Sequence, residues 1–523
     1  MSSQLPLFST RSGRVACLLL SLFLMEVESL AAGRRGEEPR RPNILVICAD
    51  DHAAYVTGAF GNSTVRTPNI DRLAAGGIRF ERAYCNSPVC TASRQSFLTG
   101  RYPRSIGVTR LETALPESEV TMAETLRLAG FDTAAIGKMH FNSDLRHGFD
   151  MRVDMPEYQK WLQAQGPEKL NESLNKGLEV QPPWRPFKDP AREWLNSACR
   201  PMGLSDRRMD GTYFAEQAAE YLQAPREKPF FLIVSFYEPH SPFRFPVEYR
   251  GKYHPNTFPV PVVGAEDDDQ IPEVFRDLTD PEKQGIAAAY YTSVEFMDKN
   301  VGQVLDALDR SGQSNDTIVV YLGDHGYMLG QHGRFEKHCS YEEAVRTPLV
   351  VRFPNRIAAG RRTQAMVELV DLVPTLYHLC GYNGTAPLQG RSLMRLLQGK
   401  TTRHREHVVV EYAQNDEAMI RDDHWKLVFE RGVQRRTDGY DTGRPLAGHK
   451  FRLYDMRQDP QEMTNLADKP EHVATRKRLT DLLVEHLVKT AREPELVPRT
   501  TDPTTLLDFC VQSRDVPRPG KRD

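Results

Sequence analysis

Four short apolar runs, each breaking into charged residues at its carboxyl end, constrain this chain more than any other feature. They are 43–49 (NILVICA), 132–137 (DTAAIG), 230–236 (FFLIVSF) and 317–322 (TIVVYL). Near-continuous hydrophobicity without alternation suits strands buried on both faces, the pattern of a parallel sheet. Helix signals lie between them. Thr67-Pro68 opens a helix that closes at Gly76-Gly77, with Pro just inside the start and Gly past the end. Thr121-Met-Ala-Glu124 is a capping box for a helix ending near Gly130, and Asp280-Pro281 begins a long helix reaching Ser311-Gly312. Strands alternating with helices predict an α/β fold: a large, mostly parallel mixed sheet sandwiched by helices.

In open α/β sheets, ligands bind beyond the carboxyl ends of the strands. Here the first run passes into Asp50-Asp51, the second into Lys138 and His140, the third into His240, and the fourth into Asp324-His325. One Asp after a strand is ordinarily a helix cap or a turn residue; four strands ending this way point to a shared site. Three carboxylates and a histidine converging on one point repel unless a cation sits among them. Oxygen-dominated ligation suits Ca²⁺ or Mg²⁺, and the imidazole keeps Mn²⁺ and Zn²⁺ open. The phrase Cys90-Thr-Ala-Ser-Arg94 adds a thiol and a guanidinium. A short helix from Ser93 to Gly100 is expected to place Cys90 beside a helix N-terminus, where free N–H groups favour an anion.

The 523 residues carry 68 Lys+Arg against 70 Asp+Glu, a formal charge of −2, which argues against nucleic-acid binding through a general basic field. Hydrophobic residues at 40% and charged residues at 26% describe a globular chain with a sizeable core. Arg11 and Arg14, the run VACLLLSLFLM and the small residues around Ser29-Leu30-Ala31 read as a signal peptide over 1–31, with a short membrane anchor as the alternative. Its removal leaves cysteines 48, 85, 90, 199, 339, 380 and 510, an odd number, so one thiol is expected to serve another purpose. The expected location is secreted or periplasmic, or lysosomal in a eukaryote. Asn62, Asn171, Asn315 and Asn383 begin glycosylation triplets, which matter only in a eukaryotic secretory route. The α/β part is placed at 42–400, with an insertion over the sheet at 156–206. A smaller α+β subdomain follows at 401–492, with strands near 408–412, 426–430 and 451–454 and a closing helix near 471–489. Residues 493–523 read as a tail that wraps the surface or is poorly ordered.

With these phrases assembled, the chain resembles the formylglycine-dependent sulfatase family of the alkaline-phosphatase superfamily. The family signature Cys-x-Pro-x-Arg, followed by a Leu-Thr-Gly-Arg-like end, stands here as Cys90-Thr-Ala-Ser-Arg94 and Leu98-Thr-Gly-Arg101, with Ala92 in place of the usual Pro. Pro42-Asn-Ile-Leu-Val46, Thr67-Pro-Asn-Ile-Asp-Arg-Leu-Ala74, Gly137-Lys-Met-His140, Pro239-His240, Gly323-Asp-His-Gly326, Gly330-Gln-His-Gly333, Trp425-Lys-Leu427 and Leu453-Tyr-Asp-Met456 extend the likeness over most of the chain.

The resemblance implies a sulfuric ester hydrolase. Cys90 would be oxidised by a formylglycine-generating enzyme, and the hydrated aldehyde would supply the nucleophilic oxygen. Asp50, Asp51, Asp324 and His325, with residue 90, would hold one Ca²⁺, Mg²⁺ or Mn²⁺ being the alternatives. Arg94, with the metal, would stabilise the nucleophilic oxygen at residue 90 and hold it in place, and Lys138 and Lys337 would meet the sulfate oxygens, Lys337 being placed by Arg334-Phe-Glu-Lys337. His140 would assist elimination and His240 would protonate the leaving oxygen. His332 and His338 are read as surface residues or supports behind the site. The expected partner is a sulfated small molecule or glycan, with a carbohydrate sulfate favoured and no nucleic acid. Alternatives are a choline-sulfate or aryl-sulfate hydrolase, a phosphodiester or phosphonate monoester hydrolase, and a non-catalytic sulfoglycan binder if Cys90 is unmodified. The phrases at 137–141 and 145–149 resemble the choline-sulfatase branch, and Asp324-His325 the iduronate-sulfatase type.

Overall fold

All seven residues of β1 (Asn43–Ala49) are buried. Ile44, Val46 and Cys48 belong to one hydrophobic cluster and Leu45, Ile47 and Ala49 to another. A strand with a core on each face has no polar side to show, which is why its sequence lacks alternation. The computed structural model describes Met1 and residues 41–168, 191–382, 387–432, 436, 438–444 and 447–515. The expected signal peptide, part of the insertion, Asn171, Asn383 and the last residues of the tail lie outside the described residues.

The remaining strands of the main sheet are β2 (Ile78–Tyr84), β3 (Asp132–Gly137), β4 (Met151–Val153), β5 (Phe230–Ser235), β6 (Thr317–Gly323), β7 (Arg346–Thr347), β8 (Leu349–Arg352) and β9 (Arg361–Glu368). Among the described residues they form a nine-stranded sheet in the order β4-β3-β5-β1-β6-β8-β2-β7, with β9 on β2. The four strands expected from sequence are adjacent and mutually parallel. β8 runs antiparallel to both β6 and β2, so the sheet is mixed, as expected. β2 and β9 escape the apolar-run criterion because each carries charged, partly exposed residues along its length.

Register aligns the strand ends. Ala49 pairs with Gly323, Cys48 with Ser235, and Gly137 with Ser235. Gly137 has φ +87°, and a Cβ there would lie 1.9 Å from the Ser235 carbonyl oxygen, so only glycine closes β3 against β5.

The helices with clear sequence signals form where expected: α1 (Pro68–Ala75), α3 (Met122–Leu128) and α4 (Asp280–Arg310). The α3 capping box closes both ways, Thr121 Oγ1 accepting from Glu124 N at 3.2 Å and Glu124 Oε2 from Thr121 N at 2.9 Å. Helix α2 spans Cys90–Thr99 rather than starting at Ser93. Ser93 N already donates to Val89 O at 2.9 Å, so the first turn forms around Cys90 and the thiol sits on it rather than before it. Gly100, at φ +68°, ends this helix.

A second sheet holds β10 (His407–Tyr412), β11 (Glu417–Asp422), β12 (Trp425–Glu430) and β13 (Lys450–Asp455), all antiparallel. β11 has no counterpart in the sequence reading. One face of this sheet (Val409, Ile420, Leu427, Leu453) packs on Leu479, Leu483 and Leu487 of the helix Val473–Lys489. The other face (Val408, Val410, Met419, Val428, Tyr454) joins the core of the main sheet. The region read as a loose tail contains a helix, Pro503–Cys510, capped by Asp502 and burying Leu507 and Cys510 in the same small core. Its apolar residues are helix-spaced over only two turns, too short a stretch to stand out among the prolines and charges around it.

Candidate active site

The level strand ends deliver their charged residues to one point. β1 supplies Asp50 and Asp51, β3 Lys138 and His140, β5 His240 and β6 Asp324 and His325, all from the turns after the strands. Helix α2 runs into the same place with all ten of its residues buried. Asp51 (φ 64°) and His140 (φ 60°) sit in the left-handed region, a conformation that costs energy in a non-glycine residue and recurs where side chains are aimed at a site.

One carboxylate oxygen each from Asp50 and Asp324, the Cys90 Sγ and a His325 ring nitrogen lie within 4.8 Å of one another. Cys90 Sγ is 3.2 Å from His325 Nε2 and 3.9 Å from Asp51 Oδ1. Asp324 Oδ1 accepts from the backbone N–H groups of Asp51 and His325, both at 3.0 Å. His325 Nδ1 is 3.0 Å from the Gly326 carbonyl oxygen, which makes Nδ1 the protonated nitrogen and leaves the Nε2 lone pair facing the cluster. Asp50, Asp51, Asp324 and His325 are all fully buried.

Three cations answer the three carboxylates. Arg94 donates from Nε to Asp324 Oδ2 at 2.9 Å and from one terminal nitrogen to Lys138 O and Ser235 Oγ, both at 2.7 Å. Lys138 Nζ donates to Asp50 Oδ2. Lys337 Nζ meets both oxygens of Asp51, at 2.8 and 2.9 Å. His240 Nε2 stands 3.9 Å from Asp51 Oδ2, and its Nδ1 is 2.7 Å from Ser241 O. Every residue expected at the site is therefore gathered there. The same geometry adds Ser235, which the sequence reading missed because it sits inside a strand and in no recognisable phrase, and Gln95, whose Nε2 donates to His140 O at 2.7 Å. His332 and His338 are not surface residues: they are 2% and 7% exposed, His332 stacked on Tyr341 and His338 on Tyr412.

Burial and the Asp50 carboxylate push the Cys90 thiol well above its usual range, so an unmodified Cys90 is a protonated thiol. Burial would raise the Asp50 carboxyl, but Lys138 and Arg94 hold it well below the usual carboxylate range. Burial likewise raises Asp51, yet both its oxygens take the Lys337 ammonium, the arrangement of an ionised carboxylate. Burial and the lysines lower His140 and His240, leaving neutral imidazoles.

The donor set fits a hard divalent cation. Asp50 Oδ1 is buried with no hydrogen-bond partner, the imidazole lone pair faces the same point, and the donors are mainly carboxylate oxygens. With three carboxylates already balanced by Arg94, Lys138 and Lys337, a bound dication leaves a surplus of positive charge. Such a site takes an anion.

The Sulfatase family model matches residues 42–382, and the model for the C-terminal region of N-sulphoglucosamine sulphohydrolase matches 330–489. The chain is 27% identical over 532 residues to an N-acetylglucosamine-6-O-sulfatase of Bacteroides thetaiotaomicron, covering 90% of each protein. Among solved structures, a phosphonate monoester hydrolase of Agrobacterium radiobacter superimposes with a TM-score of 0.73 at 23% identity, covering 88% of this chain and 98% of that one. A structure in complex with its substrate D-glucosamine-2-N,6-O-disulfate gives a TM-score of 0.69 at 23% identity, covering 89% and 99%. These two likenesses concern the fold.

Proposed function

Since the chain belongs to the sulfatase family and is a sulfuric ester hydrolase, we propose that it releases inorganic sulfate from a carbohydrate sulfate, with formylglycine made from Cys90 and one Ca²⁺ as its working groups. The observation that carries this reading is the placement of Cys90 Sγ against His325, Asp51 and the buried oxygens of Asp50 and Asp324, with Arg94 and both lysines around the same point. Asp50, Asp51, Asp324 and His325 would hold the cation, which supplies Lewis-acid stabilisation of negative charge on oxygen. The aldehyde of formylglycine, once hydrated, supplies an oxygen nucleophile that a buried protonated thiol does not.

The chain's own residues do the rest. Arg94, fixed on three sides by Asp324, Ser235 and the Lys138 carbonyl, cannot swing away and holds the position of residue 90. Lys138 and Lys337 are each paired with an aspartate, and with Asp50 and Asp51 neutralised by a bound cation they would be free to meet the sulfate oxygens. His240 keeps Nδ1 on the Ser241 carbonyl and presents Nε2 as the nitrogen that carries a proton to the departing alcohol. It is neutral beside the lysines alone; an ester anion adds negative charge nearby and raises its proton affinity. His140, whose Nδ1 is buried without a hydrogen-bond partner, is the base for the step that frees sulfate from residue 90.

A carbohydrate substrate is supported by the named activity of the Bacteroides thetaiotaomicron relative. Export directed by residues 1–31 is part of the same proposal, since polymeric sulfated sugars are met outside the cell. Mass spectrometry of the tryptic peptide 83–94 tests the central step. Conversion replaces the Cys90 –CH₂SH by –CHO, a loss of sulfur and two hydrogens for one oxygen. A peptide carrying cysteine throughout removes the proposed nucleophile.

A further inference from the structure

A sulfate ester has an anionic end and an alcohol end. Lys138 and Lys337 suit the first; the second must lie beside His240, on the side away from the carboxylates. His240 is 21% exposed at its side chain and so reaches the opening of the site. Trp194 stands edge-on to it, the ring centroids 6.1 Å apart and the planes at 86°. It comes from the short helix Ala191–Trp194 of the insertion, and it is only half-buried although it packs against the core behind it. Tyr237, also half-buried, borders the same corner: Lys138 Nζ lies 5.6 Å from its ring centroid and its hydroxyl donates to Asp154 Oδ1 at 2.7 Å. Next to so polar a cluster, a partly exposed indole is a flat apolar surface awaiting a partner.

A ring-shaped alcohol supplies that partner, because the C–H face of a pyranose covers an indole while its hydroxyls remain in water. A quaternary ammonium also favours aromatic faces, but here it would stand beside Lys138, Lys337 and Arg94, all positive. We propose that Trp194 seats the ring of the leaving alcohol, so that the enzyme prefers pyranose sulfates to acyclic or cationic esters such as choline sulfate. This rests on the sulfatase reading with His240 beside the leaving oxygen.

The test compares wild type, Trp194→Ala and Trp194→Phe on a panel of pyranose monosulfates, on choline sulfate and on an aryl sulfate, with inhibition by inorganic sulfate as a control. Wild type is expected to favour a pyranose sulfate over choline sulfate. Trp194→Ala should lose roughly 10- to 100-fold in kcat/KM on that sugar, chiefly through KM, while Phe restores most of it. The Ki of inorganic sulfate, which has no leaving group, should stay within about twofold in both variants. Equal loss on sugar and choline esters, no loss on the sugar, a shifted sulfate Ki, or a wild-type preference for choline sulfate each overturns the inference and leaves the sulfatase reading standing. A wild type that frees sulfate from no ester removes that reading, and the inference with it.

Discussion

Arg94 shows how a single buried charge is made usable. Its guanidinium is 1% exposed and would be costly alone, but Asp324, Ser235 and the Lys138 carbonyl each take one of its N–H bonds. Ser235 does this from the last position of β5. Ser235→Ala should therefore lower kcat/KM roughly tenfold or more while the melting temperature changes little; an unchanged rate would mean that Asp324 alone fixes the guanidinium. Lys337 is a different case. In the sequence only the Arg334-Phe-Glu phrase before it marks it out, and the fold sets it on both oxygens of Asp51 across 286 positions of sequence. Lys337→Ala should reduce kcat/KM by about 10²- to 10³-fold, measured on an aryl sulfate.

At the level of elements, the turn after each central strand matters more than the strand. β3 ends at Gly137 because the backbone must pass close to Ser235 with positive φ before delivering Lys138 and His140. Gly137→Ala is expected to destabilise the protein by about 1–3 kcal/mol, seen as a lower urea midpoint, and to reduce activity further by displacing Lys138. The apolar texture of β1, β3, β5 and β6 is legible in sequence because both their faces are buried. β2 and β9 place charged residues on partly exposed faces, and β11 holds only three apolar residues, Ala418-Met419-Ile420, between charged ones, so none of these three carries the same signal. Helix α2 is likewise hard to read: all ten residues are buried and six of them are polar, because its side chains serve the site instead of a single apolar stripe.

Across the whole molecule, the small sheet is held to the large one by buried charge as well as by apolar contact. Lys426 on β12, fully buried, lies 2.6 Å from Glu462 Oε1 and 3.6 Å from Glu342 Oε1, and Arg421 on β11 reaches Glu342 Oε1 at 3.0 Å. Lys426→Met removes one cation from this set and leaves two buried carboxylates to share Arg421. A loss of about 3–5 kcal/mol is expected in equilibrium unfolding. Asp371 forms a second link, paired with Arg405 and with His404 Nε2 at 3.1 Å on the segment that leads into β10. Burial would raise this carboxyl, but Arg405 and His404 hold it well below the usual range. Its stabilising contribution is thus complete above the unfolded value near about pH 4 and is lost as the pH falls through the lower folded value. Wild-type stability should drop on acidification below that point. Asp371→Asn should start less stable at neutral pH and show a shallower acid slope, which urea midpoints across pH will reveal.

Local chemistry was enough to identify which segments extend, where they stop, and which reactive groups stand at their ends, because burial on both faces and turn geometry leave their mark residue by residue. The order β3-β5-β1-β6, the level register of the four ends, and the arrival of Ser235 and Trp194 from distant parts of the chain left no such mark. Those depend on how two cores pack against opposite faces of one sheet, and burial summed over the whole chain, not the preference of any segment, selects which strands become neighbours.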